Sequence, residues 1–305
     1  MILDFPAIEA MQEASEAAGW QCEYRQLDAG RLEARTVLRD CDDLSFLRES
    51  ASRRLSIVAE SPADAVTVIV PASDSCFRIN GIDVVGNTVV VIPASTDFRA
   101  MSDPGADALS IHIPTSRFSG LVSAASGPQH ASISSRAHRF QAGTESLRGL
   151  QRIIKACTTE DPAAPDSIHG ETNFDRLIVD LLQDMRADNL NKMSLRQARA
   201  RRVIARSLEH IDANLSSQLR VTDLCRVAGV SLSTLERVFQ HELQMTPLAY
   251  IRARRLDAVR RSLIQCDPDT PIAQLAHDHG ISHLGRFAAD YRKQFGVLPS
   301  EQRPH

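Results

Sequence analysis

The sequence predicts an α+β protein of two domains, with strands in the first half and only helices in the last third. Residues 20–113 alternate between apolar and polar positions with the period of a strand, and helical spacing begins at about residue 116. From residue 195 onward the chain is helical and contains an internal repeat. A length of 305 residues suits two domains of ordinary size.

The strands are predicted from short β-branched runs such as residues 66–70 and 88–92. Asn80-Gly81 and Gly86-Asn87 mark hairpin turns between them. Several short strands at close spacing indicate a sandwich or barrel over about residues 20–115. Apolar stripes at 147–154 and 174–185 predict helices within about 116–190, separated by a proline-rich break at 161–165. These stripes either form a dimer seam or pack against the barrel.

The repeat in the last third consists of two segments that each read as helix, tight turn and helix. Leu224, Gly229 and Ser231 recur 51 positions later as Leu275, Gly280 and Ser282. The apolar positions beyond the turn recur 52 positions later, so the second copy has one extra residue between Ser282 and Phe287. Two helix-turn-helix units in tandem are typical of DNA-binding proteins. A helical hairpin in an ordinary protein core would explain one copy. It does not explain two copies whose apolar positions match.

The repeat assigns roles to its residues. Gly229 and Gly280 permit the left-handed backbone of each turn, and Ser231 and Ser282 are expected to cap the second helices. Side chains on the outer faces of those helices are the candidates for DNA contact: Ser233, Thr234, Glu236, Arg237, Gln240, His283, Leu284, Arg286, Ala289 and Lys293. Of these, Arg237 and Arg286 are best suited to bidentate contact with guanine. Arg252, Arg255 and Arg292 are expected to contact phosphates.

Charge is distributed unevenly along the chain. From Ser194 to the end there are 17 Lys and Arg against 11 Asp and Glu, whereas the whole chain has a formal net charge of −3. A basic C-terminal third on an acidic protein favours a nucleic-acid partner. The first residues have no basic segment followed by a long apolar run, and six scattered cysteines without a C-x-x-C pair favour reduced thiols. We therefore expect a cytoplasmic protein with no membrane span.

These residues resemble the C-terminal domain of the AraC/XylS family of bacterial transcription regulators. The resemblance covers about residues 200–303 and includes the closing Phe295-Gly296-x-x-Pro299-Ser300-Glu301. It implies a DNA-binding domain over 191–305, with residues 247–265 as a linker helix and two recognition helices in successive major grooves. The family pattern usually has Phe where this chain has Ile281. It also implies a cytoplasmic homodimer that binds an operator in double-stranded DNA and contacts RNA polymerase, most often as an activator.

The resemblance further implies that residues 1–190 form a cupin-like β-barrel with dimerisation helices, which binds a small-molecule effector. Trp20, Tyr24, Phe77 and Phe98 are candidates to line its pocket, although ordinary core packing explains each of them as well. No metal, cofactor or catalytic residue is expected, because His112 is the only histidine before residue 130 and no nucleophile motif occurs. Two alternatives remain: an N-terminal half that only oligomerises or binds protein, and a β-barrel enzyme with a helical appendage.

Overall fold

The computed structural model describes residues 2–5, 8–72, 75–126, 137–159, 171–187, 195–267 and 269–303. The chain forms two compact units, Met1–Tyr24 with Glu33–Lys192, and Arg25–Leu32 with Met193–His305. The predicted domain boundary at 190/191 and the predicted break at 161–165 lie outside the described residues. The predicted fold class, a strand-rich domain followed by an all-helical one, is confirmed.

The first unit contains twelve strands and four helices among the described residues. The strands are β1 (Ile2–Phe5), β2 (Gln21–Gln26), β3 (Ala34–Cys41), β4 (Leu44–Ala51), β5 (Leu55–Glu60), β6 (Ala65–Pro71), β7 (Phe77–Ile79), β8 (Ile82–Val84), β9 (Thr88–Ile92), β10 (Asp97–Ser102), β11 (Ala106–Pro114) and β12 (His138–Gln141). The helices are α1 (Ile8–Ala17), α2 (Thr115–Ser126), α3 (Thr144–Cys157) and α4 (Glu171–Ala187).

The strands form two sheets. One has seven strands in the order β1-β3-β4-β11-β6-β9-β12, and the other has five in the order β2-β5-β10-β7-β8. Strand β11 lies between β4 and β6 and is antiparallel to both. In the described residues neither order closes on itself, so the barrel expected from the sequence is an arrangement of two sheets. Strands β6 and β9 are buried at every position, which explains their unbroken apolar sequences.

The seven-stranded sheet buries both of its faces. On one face, Phe46, Ile111 and Ile113 pack with the apolar stripes of α3 and α4, including Leu150 and Phe174. The two stripes predicted from the sequence therefore pack against the sheet. On the other face, alternate residues of the same strands pack with side chains of the five-stranded sheet.

The second unit is helical: α5 (Leu195–Ala213), α6 (Val221–Ala228), α7 (Leu232–Leu243), α8 (Pro247–Gln265), α9 (Ile272–Asp278) and α10 (Leu284–Phe295), followed by a 3-10 turn at Pro299–Glu301. Helix α8 begins with Pro247 after the N-cap Thr246, whose hydroxyl accepts a hydrogen bond from the Ala249 amide. It contacts both α7 and α10 and so connects the two halves of the unit. Residues 25–32 belong to this unit, where the Gln26 side chain donates to the Gln294 carbonyl.

None of the six cysteines forms a disulfide, and Cys41 and Cys157 are buried whereas the other four are half-buried. No helix within the described ranges is both long enough and apolar enough to cross a membrane.

Candidate nucleic-acid interface and ligand cavity

The first helix-turn-helix is formed by α6 and α7. Gly229 ends α6 in the left-handed conformation, with φ 67°. Ser231 then caps α7, since its hydroxyl accepts a hydrogen bond from the Thr234 amide at 3.3 Å. Leu235 and Phe239 lie one turn apart and are completely buried, and the Phe239 ring packs edge-on against Tyr250 of α8. These anchors fix which face of α7 points to solvent.

The second helix-turn-helix is formed by α9 and α10, and the glycine of its turn is packed closely against neighbouring atoms. Gly280 has φ 78°, and a Cβ there would lie 2.8 Å from the Leu215 carbonyl oxygen and 3.0 Å from Arg255 Nε. Gly229 has no such neighbour. His279, the residue before Gly280, is joined to Ser262 of α8 by a hydrogen bond of 2.7 Å from Nε2 to the hydroxyl. Burial lowers the pKa of His279, which favours the neutral ring.

The expected cap at Ser282 is not formed. Helix α10 begins one residue later, with His283 at the N-cap position and no side-chain cap hydrogen bond. The reason is the extra residue in the second copy: two positions separate Gly229 from its N-cap, whereas three separate Gly280 from His283. The insertion therefore lies in the turn, and α7 and α10 themselves have the same length of 12 residues.

Equal helix lengths allow the two outer faces to be compared position by position. With α7 starting at Leu232 and α10 at Leu284, Arg286 occupies the position of Thr234, and Arg237 occupies the position of Ala289. The two arginines therefore lie at different positions along their helices. The two recognition helices present different patterns of charge and hydrogen-bond donors, although their buried anchors match.

The predicted DNA-contact residues of α7 lie on its outer face. Ser233, Glu236, Arg237 and Gln240 are exposed, and Thr234 is half-buried beside the Ser231 cap. Among the described residues, Arg237 forms no ion pair or hydrogen bond within the protein. Its guanidinium group is therefore free to bind another molecule. The neighbouring helix differs, because Arg226 of α6 is paired with Asp223 at 2.5 Å.

The predicted residues of α10 are also exposed: His283, Leu284, Arg286, Ala289 and Lys293. Arg286, like Arg237, has no partner within the part of the chain that the structure describes. Together with Leu248, Arg252 and His283 it lines a groove of about 490 Å³ between α8 and the turn before α10. Leu248 is 65% exposed at the start of α8, an unusual position for a large apolar side chain.

The three arginines expected at phosphates differ in their surroundings. Arg292 is exposed on α10. Arg252 is exposed on α8 and forms an ion pair with Asp290 of α10. Arg255 is half-buried and donates to the carbonyl oxygens of Leu215 at 3.0 Å and Ser217 at 2.7 Å. Arg255 thus holds the chain that leaves α5, a role that the sequence did not indicate.

A buried ionic cluster on α8 was not predicted either. Asp257 is completely buried and lies 3.2 Å from Arg260, 3.1 Å from Arg261 and 3.6 Å from Arg254. Arg254 also pairs with Asp212 of α5 at 2.7 Å. In the sequence, the spacing of the arginines in α8 is typical of an exposed, charged helix face. Their burial shows that part of the basic excess of this unit is structural and is not available to a nucleic acid.

The first unit contains a cavity of about 90 Å³ between its two sheets and α1. The four aromatic residues predicted for an effector pocket, Trp20, Tyr24, Phe77 and Phe98, all line it and are all buried. The cavity exists because the opposing strand β11 presents small side chains here, namely Ala106, Ala108 and Ser110. Its volume is several times what one water molecule requires.

Ser15 and Glu49, which also line the cavity, were not predicted from the sequence. Glu49 Oε1 accepts hydrogen bonds from the Tyr24 hydroxyl at 2.5 Å and the Ser15 hydroxyl at 3.0 Å. Burial raises the pKa of Glu49, and these hydrogen bonds partly oppose the rise. Burial together with the Glu49 charge raises the pKa of Tyr24 well above its usual range and that of Cys22 to about 12. Ser15, Tyr24 and Glu49 come from α1, β2 and β4, so no local motif could reveal them.

Trp20 is fixed in the cavity wall by His112. The indole Nε1 donates to His112 Nε2 at 3.1 Å, and the Trp20 ring packs edge-on against Phe98. Burial lowers the pKa of His112 to about 4, so the imidazole stays neutral and accepts this bond at neutral pH. His112 thus has a structural role. In the part of the chain that the structure describes, no three His, Cys, Asp or Glu side chains are grouped so that they could hold a metal ion.

Comparison with known proteins identifies a family match within the helical unit. Residues 224–304 match a family described as a helix-turn-helix domain. The chain is 37% identical over 99 residues to the XylDLEGF operon transcriptional activator of Pseudomonas putida, and 32% identical over 100 residues to the probable thc operon regulatory protein of Rhodococcus erythropolis. Each match covers 32% of this chain and 30% of the relative.

Among solved structures, a probable AraC family transcriptional regulator from Rhodopseudomonas palustris is 31% identical over 33% of this chain and 98% of that chain, with a TM-score of 0.31. The family match, residues 224–304, includes the segment in which Gly229 and Gly280 form the two turns. In its tandem helix-turn-helix domain, the chain is similar to transcription regulators of the AraC/XylS family.

Proposed function

We propose that this protein is a sequence-specific DNA-binding transcription regulator that reads two adjacent major-groove segments with α7 and α10. The observation that carries the proposal is the pair of exposed, unpaired guanidinium groups, Arg237 and Arg286, on two helices held by matching buried anchors. Arginine in the major groove donates two parallel hydrogen bonds to guanine, and a good pair of this kind discriminates between bases by about 1–3 kcal/mol. The names of the relatives, an operon activator and an operon regulatory protein, agree with this activity.

The same outer faces supply the remaining base contacts. Ser233, Thr234, Glu236 and Gln240 accompany Arg237, and His283, Leu284, Ala289 and Lys293 accompany Arg286. Glu236 is suited to accept a hydrogen bond from cytosine, and the apolar Leu284 and Ala289 are suited to contact a thymine methyl group. Because Arg237 and Arg286 occupy non-equivalent positions, we expect two unlike half-sites about one turn of DNA apart.

Positioning on the DNA backbone is assigned to Arg252, Arg255 and Arg292. Arg292 is the strongest candidate because its side chain is exposed and lies on α10 itself. Arg252 reaches a phosphate after exchanging its partner Asp290. Arg255 contributes mainly through the shape of the groove wall, since two of its donors are occupied by carbonyl oxygens. Phosphate contacts of this kind set affinity and its salt dependence.

The first unit is proposed to bind a small-molecule effector in the cavity lined by Trp20, Tyr24, Phe77 and Phe98. A mainly apolar cavity with a few polar groups is the usual form of a small-molecule site. The cavity favours an effector-binding role over one limited to oligomerisation or protein contacts. By analogy with the relatives, we propose that the protein acts in the cytoplasm as a homodimer that activates transcription through RNA polymerase.

Selection from a pool of random double-stranded DNA tests the DNA-binding proposal. We expect one enriched motif with two conserved segments, bound with an affinity that falls steeply as salt is raised. A pool with no enriched sequence after repeated rounds would refute sequence-specific binding. Binding whose affinity is insensitive to salt would refute the assignment of Arg252, Arg255 and Arg292 to phosphates.

A further inference from the structure

The cavity of the first unit contains one charged group. Among its described lining residues, Glu49 is the only Asp, Glu, Lys, Arg or His, and the walls are otherwise formed by apolar side chains, cysteine, tyrosine and serine. Aromatic walls come from Trp20, Phe77 and Phe98, and aliphatic walls from residues such as Ile57 and Ile79. A ligand in this cavity therefore meets apolar contacts on most sides and a carboxyl group at one place.

The hydrogen bonds of Glu49 leave one oxygen available. Both bonds from protein donors end on Oε1, from Tyr24 and Ser15, so within the described residues Oε2 has no protein donor. The Ser15 and Tyr24 hydroxyl oxygens are 2.9 Å apart, so the three groups lie in one compact arrangement. An unpaired carboxylate oxygen beside apolar walls is costly unless a donor or a positive charge meets it.

Two other polar groups of the wall are already occupied. The Trp20 indole donates to His112, and the Ser110 hydroxyl donates to the Leu47 carbonyl at 3.3 Å. Neither offers its hydrogen to a ligand without losing a bond within the protein. No basic side chain among the described lining residues is present to bind an acidic ligand. Among the described lining residues, the one charged group left to recognise a ligand is the Glu49 carboxylate, which accepts hydrogen bonds.

We propose that the ligand of this cavity is a small apolar amine, whose ammonium group pairs with Glu49 Oε2 and whose hydrocarbon part lies among Trp20, Phe77 and Phe98. The inference rests on the proposed function only in treating the cavity as the effector site. The ammonium group supplies the counter-charge that the half-buried carboxylate lacks, and charge-assisted hydrogen bonds of this type are the strong ones. Aromatic faces add a favourable cation–π contribution. Carboxylic acids of the same shape are excluded, because their charge repels Glu49.

Matched ligands test this chemistry on the full-length protein. Isothermal titration near neutral pH compares benzylamine, benzyl alcohol and benzoate, and then isobutylamine, isobutanol and isobutyrate as a smaller set. We expect at least one amine to bind at least about tenfold more tightly than the alcohol and the acid of its set, a difference of about 1.4 kcal/mol. Equal binding of amine and alcohol, tighter binding of an acid, or no binding of either amine would overturn the proposal.

A pair of matched variants assigns the effect to Glu49. Glu49→Gln keeps the size of the side chain and removes its charge, so we expect the preference for amine over alcohol to be lost. Glu33→Gln makes the same change at an exposed residue outside the cavity and should keep the preference. Retention of the preference in Glu49→Gln, with the variant still folded by circular dichroism, would contradict the proposal.

The outcome is separable from that of the proposed function. If an amine binds with the expected preference but leaves the affinity for the selected DNA motif unchanged, the ligand inference stands and the effector role fails. If the protein selects a DNA motif but binds neither amine, the ligand inference fails and the DNA-binding function stands.

Discussion

The two turn glycines give a matched pair for testing how the second helix-turn-helix is built. Gly229 and Gly280 both have positive φ, so replacement by alanine carries a similar backbone cost of about 1–2 kcal/mol at either site. Only at Gly280 does the new Cβ meet other atoms, with the Leu215 carbonyl oxygen at 2.8 Å and the Arg255 guanidinium group at 3.0 Å. Contacts this short force one of these groups to move.

Displacement of Arg255 breaks its bonds to the carbonyl oxygens of Leu215 and Ser217. A hydrogen bond from a charged donor contributes about 1.5–3 kcal/mol, and because Arg255 is half-buried we assign about that amount to the two bonds together. We therefore expect Gly280→Ala to destabilise the helical unit by about 1.5–3 kcal/mol more than Gly229→Ala does. Removing the Arg255 side chain first should shrink this difference, because there is then less to displace.

Urea unfolding followed by far-UV circular dichroism measures the helical transition of each variant. Fluorescence of Trp20, the sole tryptophan, reports the first unit separately. Equal destabilisation by Gly229→Ala and Gly280→Ala would refute the close approach at Gly280. A difference that stays the same when Arg255 is replaced by alanine would refute the role given to its guanidinium group.

Three further predictions concern caps, buried charge and pH. Ser231→Ala should destabilise the protein by about 1 kcal/mol through loss of the α7 cap, whereas Ser282→Ala should change stability by less than about 0.5 kcal/mol, as measured by urea unfolding. Asp257→Ala should cost about 3–5 kcal/mol, because it leaves buried guanidinium groups without their carboxylate, and a melting temperature equal to wild type would contradict this. The pKa of Glu49 is raised in the folded protein, so its ionisation lowers the stability of the wild type as the pH rises above the ordinary value of 4.5. Glutamine does not titrate. The melting temperature of Glu49→Gln should therefore rise relative to that of the wild type between pH 4 and 8. If the difference in melting temperature between Glu49→Gln and wild type stays constant or shrinks as the pH rises, the pKa of Glu49 is not raised by folding.

The sequence predicted those features that are encoded locally or repeated. The two glycine turns, the anchors Leu235 and Phe287, and the strand-to-helix change near residue 115 follow from spacing and residue type. The cap at Ser231 was predicted because its spacing to the helix is standard. The predicted cap at Ser282 was wrong, because a single inserted residue shifts the N-cap position of α10 to His283.

The features that the sequence did not predict depend on residues brought together by the fold. Ser15, Tyr24 and Glu49 are far apart in sequence and meet only when α1 and two strands pack around the cavity. Arg255 resembles its exposed neighbour Arg252 in the sequence, and only the position of the chain after α5 gives it carbonyl partners. Helical spacing predicted the apolar stripes of α3 and α4 but could not decide which surface they cover.

We propose that α7 and α10 read two different DNA segments through Arg237 and Arg286. DNA selection repeated with Arg237→Ala and Arg286→Ala, and with Arg292→Ala as a phosphate-contact control, tests this assignment. We predict that each of the first two variants loses base preference in a different half of the motif, at a cost of about 1–3 kcal/mol, and that the control weakens binding uniformly. Loss of preference in the same half for both variants, or uniform weakening by all three, would show that Arg237 and Arg286 do not read separate segments.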